Sequence, residues 1–317
     1  MADTSDPSRE FVRIGTSGWS YPQGRGTWTG VFYPPASSTR RLDELAYYAE
    51  RFDTVEVNST FYRLPSPQTT ASWVRRTGAR FTFSVKLFQK FTHPAMFAER
   101  HPGADVAIDQ MDVDSVRAAL DPLAVAGKLG PLLAQFPPSF DDSAEARDYV
   151  SWLLRAFHEF PMAVELRHRS WSDDAVTVQE LLTSQGATWV FIDEPKFALS
   201  VTQRLSAAQG PFGYWRFHGR NARNWWKHDA SEDRYDYLYS KEELEPFAEA
   251  ASASRRLMKK LYLYMNNHFE SKAVANALML KSSLGLDIEG RYHEGLLQRF
   301  PELRGFVPAE AGQARLI

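Results

Sequence analysis

Thr54-Val55-Glu56-Val57-Asn58 is the stretch on which the reading of the fold turns. It is short, β-branched and largely apolar, as a strand buried on both faces should be. Successive side chains of a strand point to opposite sides, so Glu56 and Asn58 share one side while Val55 and Val57 share the other. Met162-Ala163-Val164-Glu165-Leu166 repeats the arrangement, with Glu165 in phase with the following Arg167. A carboxylate inside an apolar strand is costly unless it is paired or used.

Six further runs of the same kind occur, which places strands at 12–16, 54–58, 81–86, 131–136, 162–166, 188–193, 213–218 and 261–266. Helical patterns fall between them. Leu42, Leu45, Ala46, Ala49 and Phe52 make one stripe, and Val116, Ala119, Leu120 and Leu123 another. Tyr149, Trp152, Leu153 and Ala156 make a third. Later helices open at Asp173 and Glu242, and the last carries Ala273, Ala277, Leu280 and Leu284 before Gly285. Residues 92–113 read as a long loop, and 194–211 as a turn or short helix. Strands alternating with helices in this number predict an α/β fold, a single-domain TIM (β/α)8 barrel, a fold that typically takes ~250 residues. The barrel is expected over 11–300, with a disordered tail at 1–10 and an extension at 301–317. A doubly wound sheet is the competitor, but Gly15-Thr16-Ser17-Gly18 is not the glycine-rich turn of a dinucleotide fold.

Composition narrows the function classes. The 317 residues carry a net charge of -2 and no cysteine. Disulfides, thiol nucleophiles and cysteine-held zinc or iron–sulfur clusters are thereby excluded. No stretch is apolar for the ~18 residues that a membrane span needs. Met1 to Glu10 lacks the apolar segment of a secretion signal, so the expected location is the cytoplasm. Asp109, Asp112 and Asp114 lack the Gly and Glu of a calcium loop.

In a barrel, chemistry sits where the strands end. Polar side chains gather at all eight predicted ends: Thr16 and Ser17, Glu56 and Asn58, Lys86, Gln135, Glu165 and Arg167 with His168, Asp193, Arg216 with His218 and Arg220, and Asn266, Asn267 and His268. Aromatic residues crowd the adjoining loops. Trp19, Tyr21, Trp28, Phe32 and Tyr33 follow the first strand, Phe61 and Tyr62 the second, Trp171 the fifth, and Trp225-Trp226 the seventh.

Several of these stretches resemble one family. They include Ile14-Gly15-Thr16-Ser17-Gly18-Trp19-Ser20-Tyr21, Phe32-Tyr33-Pro34, Glu56-Val57-Asn58-Ser59-Thr60-Phe61-Tyr62, Gln135-Phe136-Pro137-Pro138 and Val164-Glu165-Leu166-Arg167-His168 with Ser170-Trp171. Phe217-His218-Gly219-Arg220, Tyr235-Asp236-Tyr237 and Asn266-Asn267-His268 continue the series. Together they are similar to domain-of-unknown-function family 72, also called YecE-like, over about residues 11–285. One departure is residues 24–27, which lengthen the first loop. The resemblance implies a TIM barrel and supplies no reaction.

The residues themselves suggest an enzyme for an anionic ligand bearing phosphate or carboxylate. Lys86, Arg167, Arg216 and Arg220 would clamp the anion. Glu56 and Glu165 would be the acid–base pair, with Asp193 beside them and His218 or His268 as proton relay. Asn58, Gln135, Asn266, Asn267, Trp19, Tyr21 and Trp171 would complete the binding surface. No cofactor motif is present. A divalent metal on Glu56, Glu165, Asp193, His218 and His268, giving a phosphodiesterase-like enzyme, is the lesser alternative. A non-catalytic module is the other. It would bind nucleotide or nucleic acid along Arg220, Arg223, Lys227 and the Trp225-Trp226 pair.

Overall fold

The structure, a computed structural model, describes residues 11–35, 42–205, 210–225 and 231–310. Its strands are β1 (Val12–Thr16), β2 (Thr54–Val57), β3 (Thr82–Lys86), β4 (Leu129–Gln135), β5 (Met162–Glu165), β6 (Ala187–Trp189), β7 (Phe191–Asp193), β8 (Gly213–Phe217) and β9 (Leu261–Met265). Every pairing is parallel. Parallel neighbours require a crossover; helices supply it except between β7 and β8, where the described residues of 194–212 hold no helix. The helices are α1 (Glu44–Ala49), α2 (Ser59–Tyr62), α3 (Pro67–Arg75), α4 (Pro94–Arg100), α5 (Gln110–Val125), α6 (Ala144–Ala156), α7 (Ser170–Asp173), α8 (Ala175–Thr183), α9 (Lys241–Ser254), α10 (Lys272–Ser283) and α11 (Glu294–Arg299). Among the described residues, no helix is long and apolar enough to cross a membrane.

The strands form two sheets, β2-β3-β4-β5-β6 and β7-β8-β9-β1. Two seams join them. At the first, the expected sixth strand breaks at Val190: β6 pairs with β5, β7 pairs with β8, and the Val190 N–H donates to Val164 O at 2.9 Å. At the second, Ser17 bridges to Glu56, and the Gly18 N–H donates to Glu56 O at 2.7 Å. Neighbours therefore follow chain order, the strand succession of a (β/α)8 barrel. Close approach of β1 to β2 depends on Gly15, where a Cβ would meet the Thr54 carbonyl oxygen at 2.3 Å.

One expectation is corrected. The 92–113 segment contains α4 and the start of α5. Pro94 occupies the first turn of α4, and Asp109 with Asp112 forms a reciprocal capping box on α5. These aspartates serve a helix start, with Asp112 also 2.7 Å from Lys90. In the expected extension, residues 301–310 pack on the preceding chain: Leu303 and Val307 are buried, Tyr292 bridges to Ala309, and Arg51 pairs with Glu310 at 3.2 Å. The tail at 1–10 and residues 311–317 lie outside the described residues.

The strands' interior is polar where it nears the site. The Tyr264 hydroxyl lies 2.6 Å from Thr54 Oγ1 and 2.8 Å from Ser84 Oγ, and the Tyr214 ring sits 5.2 Å from the Tyr264 ring. Buried phenols need such partners. Tyr214 finds its own one layer higher, on Glu56, at 2.7 Å.

Candidate active site

Arg216 near the end of β8 is the hub. Its Nε donates to Glu56 Oε2 at 2.9 Å and its Nη2 to Glu56 Oε1 at 2.8 Å, the two-pronged fit of a guanidinium to a carboxylate. Its Nη1 donates to Glu165 Oε2 at 2.5 Å and to Gln135 Oε1 at 3.3 Å. Ser17 adds a hydrogen bond to Glu56 Oε1 at 2.6 Å. His218 Nε2 lies 3.4 Å from Arg216 Nη1, and the Asn266 side-chain nitrogen lies 2.9 Å from His218 Nδ1. Both carboxylates are fully buried. The period-two phasing of the parallel strands brings these groups together, because β2, β4, β5, β8 and β9 each turn an in-phase polar residue inward.

Charges in this cluster are set by the hub. Burial pushes the Glu56 and Glu165 carboxyls upward, but Arg216 outweighs it, and both are held below the usual carboxylate value, Glu165 well below. Burial and the Arg216 cation push His218 downward. The groups expected as an acid–base pair and relay are thus two fixed carboxylates and a neutral imidazole.

Above the hub opens a cleft of about 700 Å³. Asn58, Lys86, Gln135, Arg216, Asn266 and His268 form its polar floor, and Trp19, Tyr21, Tyr62 and Tyr235 its aromatic walls. Lys86, Arg216 and Arg234 are the cations among its lining residues, and none of its lining residues is a carboxylate. Lys86 Nζ sits 4.0 Å from the centre of the Phe61 ring and makes no ion pair or hydrogen bond among the described residues. Burial lowers its pKa to about 7, with Arg216 and Arg167 pulling the same way and Glu165 and Glu56 opposing. His268 is stacked on Tyr21, ring centres 4.5 Å apart, and burial lowers it to about 4. Two further lining groups have buried atoms with no protein partner: Asn58 Oδ1 and His268 Nδ1.

Comparison with known proteins decides the family. Residues 13–299 match the family described as Protein of unknown function DUF72. The chain belongs to DUF72. The UPF0759 protein YunF of Bacillus subtilis (strain 168) is 28% identical over 289 residues, 88% of this chain and 97% of YunF. The UPF0759 protein YecE of Escherichia coli (strain K12) is 27% identical over 186 residues, 58% of this chain and 59% of YecE. A crystal structure of a DUF72 protein from Thermotoga maritima superposes with a TM-score of 0.73 at 35% identity, covering 87% of this chain and 99% of that one. A DUF72 structure from Enterococcus faecalis V583 reaches a TM-score of 0.74 at 24% identity over 89% of this chain and 100% of that one, which shows the fold alone.

In this DUF72 chain the expected site residues separate into three groups. Glu56, Glu165, His218, Arg216, Gln135 and Asn266 form the hub, and Asn58, Lys86, His268, Trp19 and Tyr21 line the cleft beside it. A second network lies to one side. Arg220 grips Asp193 with both Nε and Nη2 at 2.9 Å, and Tyr239 donates to Asp193 at 2.6 Å. Asn267 donates to Tyr237 O and Asn276 Oδ1, and so fixes that loop. Arg167 bridges from Glu194 toward Glu165, which it approaches to 3.6 Å. The third group is core. Trp171 is fully buried, stacks on Phe140 and donates to its carbonyl at 2.7 Å. Trp171→Ala is expected to cost ~3–5 kcal/mol in chemical denaturation. Ligand binding per folded molecule should stay unchanged, and a selective loss of binding would return Trp171 to the site.

The expected metal set does not assemble. Glu56 and Glu165 enclose a guanidinium, Asp193 is taken by Arg220, and among the described residues no group of three His, Asp or Glu could hold a metal ion. A cation there would have to displace two arginines. The expected stacking edge is altered too, because Trp225 is buried against Arg167 at 5.7 Å; Trp226 and Lys227 lie outside the described residues.

The cleft also has walls that strand-end reasoning misses. Tyr235 comes from a 3₁₀ turn at Ser231–Tyr235 and packs against His268 at 4.8 Å, and Met96 comes from α4. Residues 24–27 dock on the loop after β9: the Glu270 N–H donates to Gly26 O at 3.2 Å. Here Glu270 and Ser271 take left-handed φ values of 48° and 66°, a strain of ~1–3 kcal/mol each. Trp28 Nε1 holds the same turn through His268 O at 2.7 Å.

Proposed function

We propose that the cleft is the active site of an enzyme whose substrate is a small anion, with Lys86 as its reactive amine. The observation that carries this reading is the lining: three cations and no carboxylate face the cleft, while the carboxylates stay behind Arg216. A guanidinium carries five N–H donors. Glu56 takes only one of the two on Arg216 Nη2, and the other has no partner among the described residues. Asn58 Oδ1 and His268 Nδ1 are buried polar atoms without protein partners, at a cost of ~1–3 kcal/mol each. The aromatic walls give a small molecule flat, apolar surface to pack on beside the cations. Glu56 and Glu165 position Arg216 and are held ionised, so the group that changes protonation near neutrality is Lys86.

Sulfate keeps a constant charge across the relevant pH range and is a suitable probe. Calorimetric titration should show saturable binding at pH 6. The affinity should fall as pH rises through 7, by up to roughly tenfold per unit, as Lys86 loses its proton. Lys86→Met should flatten this dependence. Absence of saturable binding of sulfate and of small carboxylates alike would rule the reading out.

A further inference from the structure

We infer that Lys86 forms an imine with its substrate, and that the substrate class is a small aldehyde or ketone bearing an anionic group. This rests on the anion-site reading above and adds the reacting bond. The geometry meets three requirements of an amine nucleophile.

Access is the first. Lys86 ends β3, lines the cleft and sits on its polar floor beside Asn58 and Gln135. Freedom of the nitrogen is the second. No carboxylate is paired with Nζ, although Glu56 and Glu165 lie nearby, because Arg216 holds both. An ion-paired lysine stays protonated and is a poor nucleophile, whereas one left unpaired and desolvated is activated. The Phe61 ring packs at 4.0 Å and takes the place of water on one side of Nζ. The pair of cations and the pair of carboxylates that act on Lys86 offset one another in sign, so burial sets the direction, and the amine form is well populated at neutral pH. A place for the rest of the substrate is the third requirement. Arg216 and Arg234 line the same cleft, so an anionic group can rest on them while the carbonyl carbon meets Nζ.

The step balances without a co-reactant. The Nζ lone pair adds to the carbonyl carbon, and the C=O π pair moves to oxygen, which takes one proton from nitrogen. The carbinolamine hydroxyl then leaves with the second Nζ proton as water while C=N forms. Neutral His268 and the Asn58 amide line the same cleft and are uncharged polar groups available to hydrogen-bond that hydroxyl. Protonation of the imine nitrogen gives an iminium, an electron sink for bond making or breaking at the adjacent carbon.

The test uses the full chain, glyoxylate as the carbonyl probe and sodium cyanoborohydride to reduce any imine to a stable carboxymethyl amine, read by peptide mass spectrometry. The exposed Lys259 and Lys260 are internal controls. At pH 7 an amine titrating near 7 holds on the order of 10³ times more free base than an ordinary lysine. Lower intrinsic nucleophilicity offsets part of this, so Lys86 should be labelled on the order of tenfold or more faster than Lys259 and Lys260. Sulfate should suppress labelling at Lys86 alone. Lys86→Arg keeps the charge and should retain sulfate binding while losing the rapid adduct. Labelling of Lys86 at the rate of the exposed lysines, or insensitive to sulfate, would overturn the proposal. If sulfate binds and Lys86 is not labelled, the imine is refuted and the anion site stands; if neither sulfate nor small carboxylates bind, the anion site itself is refuted.

Discussion

Replacing Arg216 by Met should destabilise the protein more than any other single change at the site. The side chain is fully buried and holds two fully buried carboxylates, one of them through two hydrogen bonds. Removing it strands both charges. Breaking one buried ion pair typically costs ~3–5 kcal/mol, and here two are broken by one substitution. Arg216→Lys should recover only a fraction, since an ammonium cannot grip Glu56 with two prongs and reach Glu165 as well. Adding Glu56→Gln and Glu165→Gln to Arg216→Met should restore part of the loss, because the stranded charges are gone. Urea unfolding of the four proteins measures this. A loss below ~1 kcal/mol for Arg216→Met would show that the carboxylates find other partners or take up protons.

Lys86→Met should have the second largest effect, in the opposite direction and with a pH signature. An unfolded lysine titrates near 10.4. In the folded protein Lys86 titrates at about 7, with Arg216, Arg167, Glu165 and Glu56 around it and His93 on the neighbouring segment. Between those two pH values the unfolded chain binds the proton and the folded chain does not. Wild-type stability therefore rises with pH across the window, by at most ~1.4 kcal/mol per unit, a ceiling tempered by solvent in the cleft. Below pH 7 the cost of charging the buried amine is complete and constant. The Met variant avoids that cost, so its advantage should be largest at pH 6–7 and vanish near pH 10. Equal stability of the two proteins at pH 6.5 and at pH 9.5 would contradict a desolvated Lys86.

Much of the hub was legible in the sequence. Parallel strands alternate sides, and the in-phase residues Glu56, Glu165, Arg216, His218 and Asn266 must then share one interior. The chemical division of labour was not. Which of several nearby cations takes both carboxylates depends on how the strands stagger, and that is a tertiary property. Hence Lys86 reads as a clamp in the sequence and is an unpaired amine in the structure. Asp193 and Arg220 read as part of the same ring and instead satisfy each other beside it. Trp171 shows the limit for aromatic residues, because sequence does not distinguish a ring facing a cleft from one packed beneath a loop. The break at Val190 was hidden as well: residues 189–192 are apolar on both sides of it, and what changes there is the partner strand. The start of α5 went unread because Asp112 stands where a glutamate would complete the familiar capping pattern.

The two seams between the sheets give the hub a mechanical meaning. Arg216 belongs to the β7-β8-β9-β1 sheet, while Glu56 on β2 and Glu165 on β5 both belong to the other. Ser17, at the far seam, reaches across to the same Glu56. Any widening of the mouth along these seams draws the guanidinium away from both acids at once. Breathing of the scaffold and separation of its central charges are then a single motion.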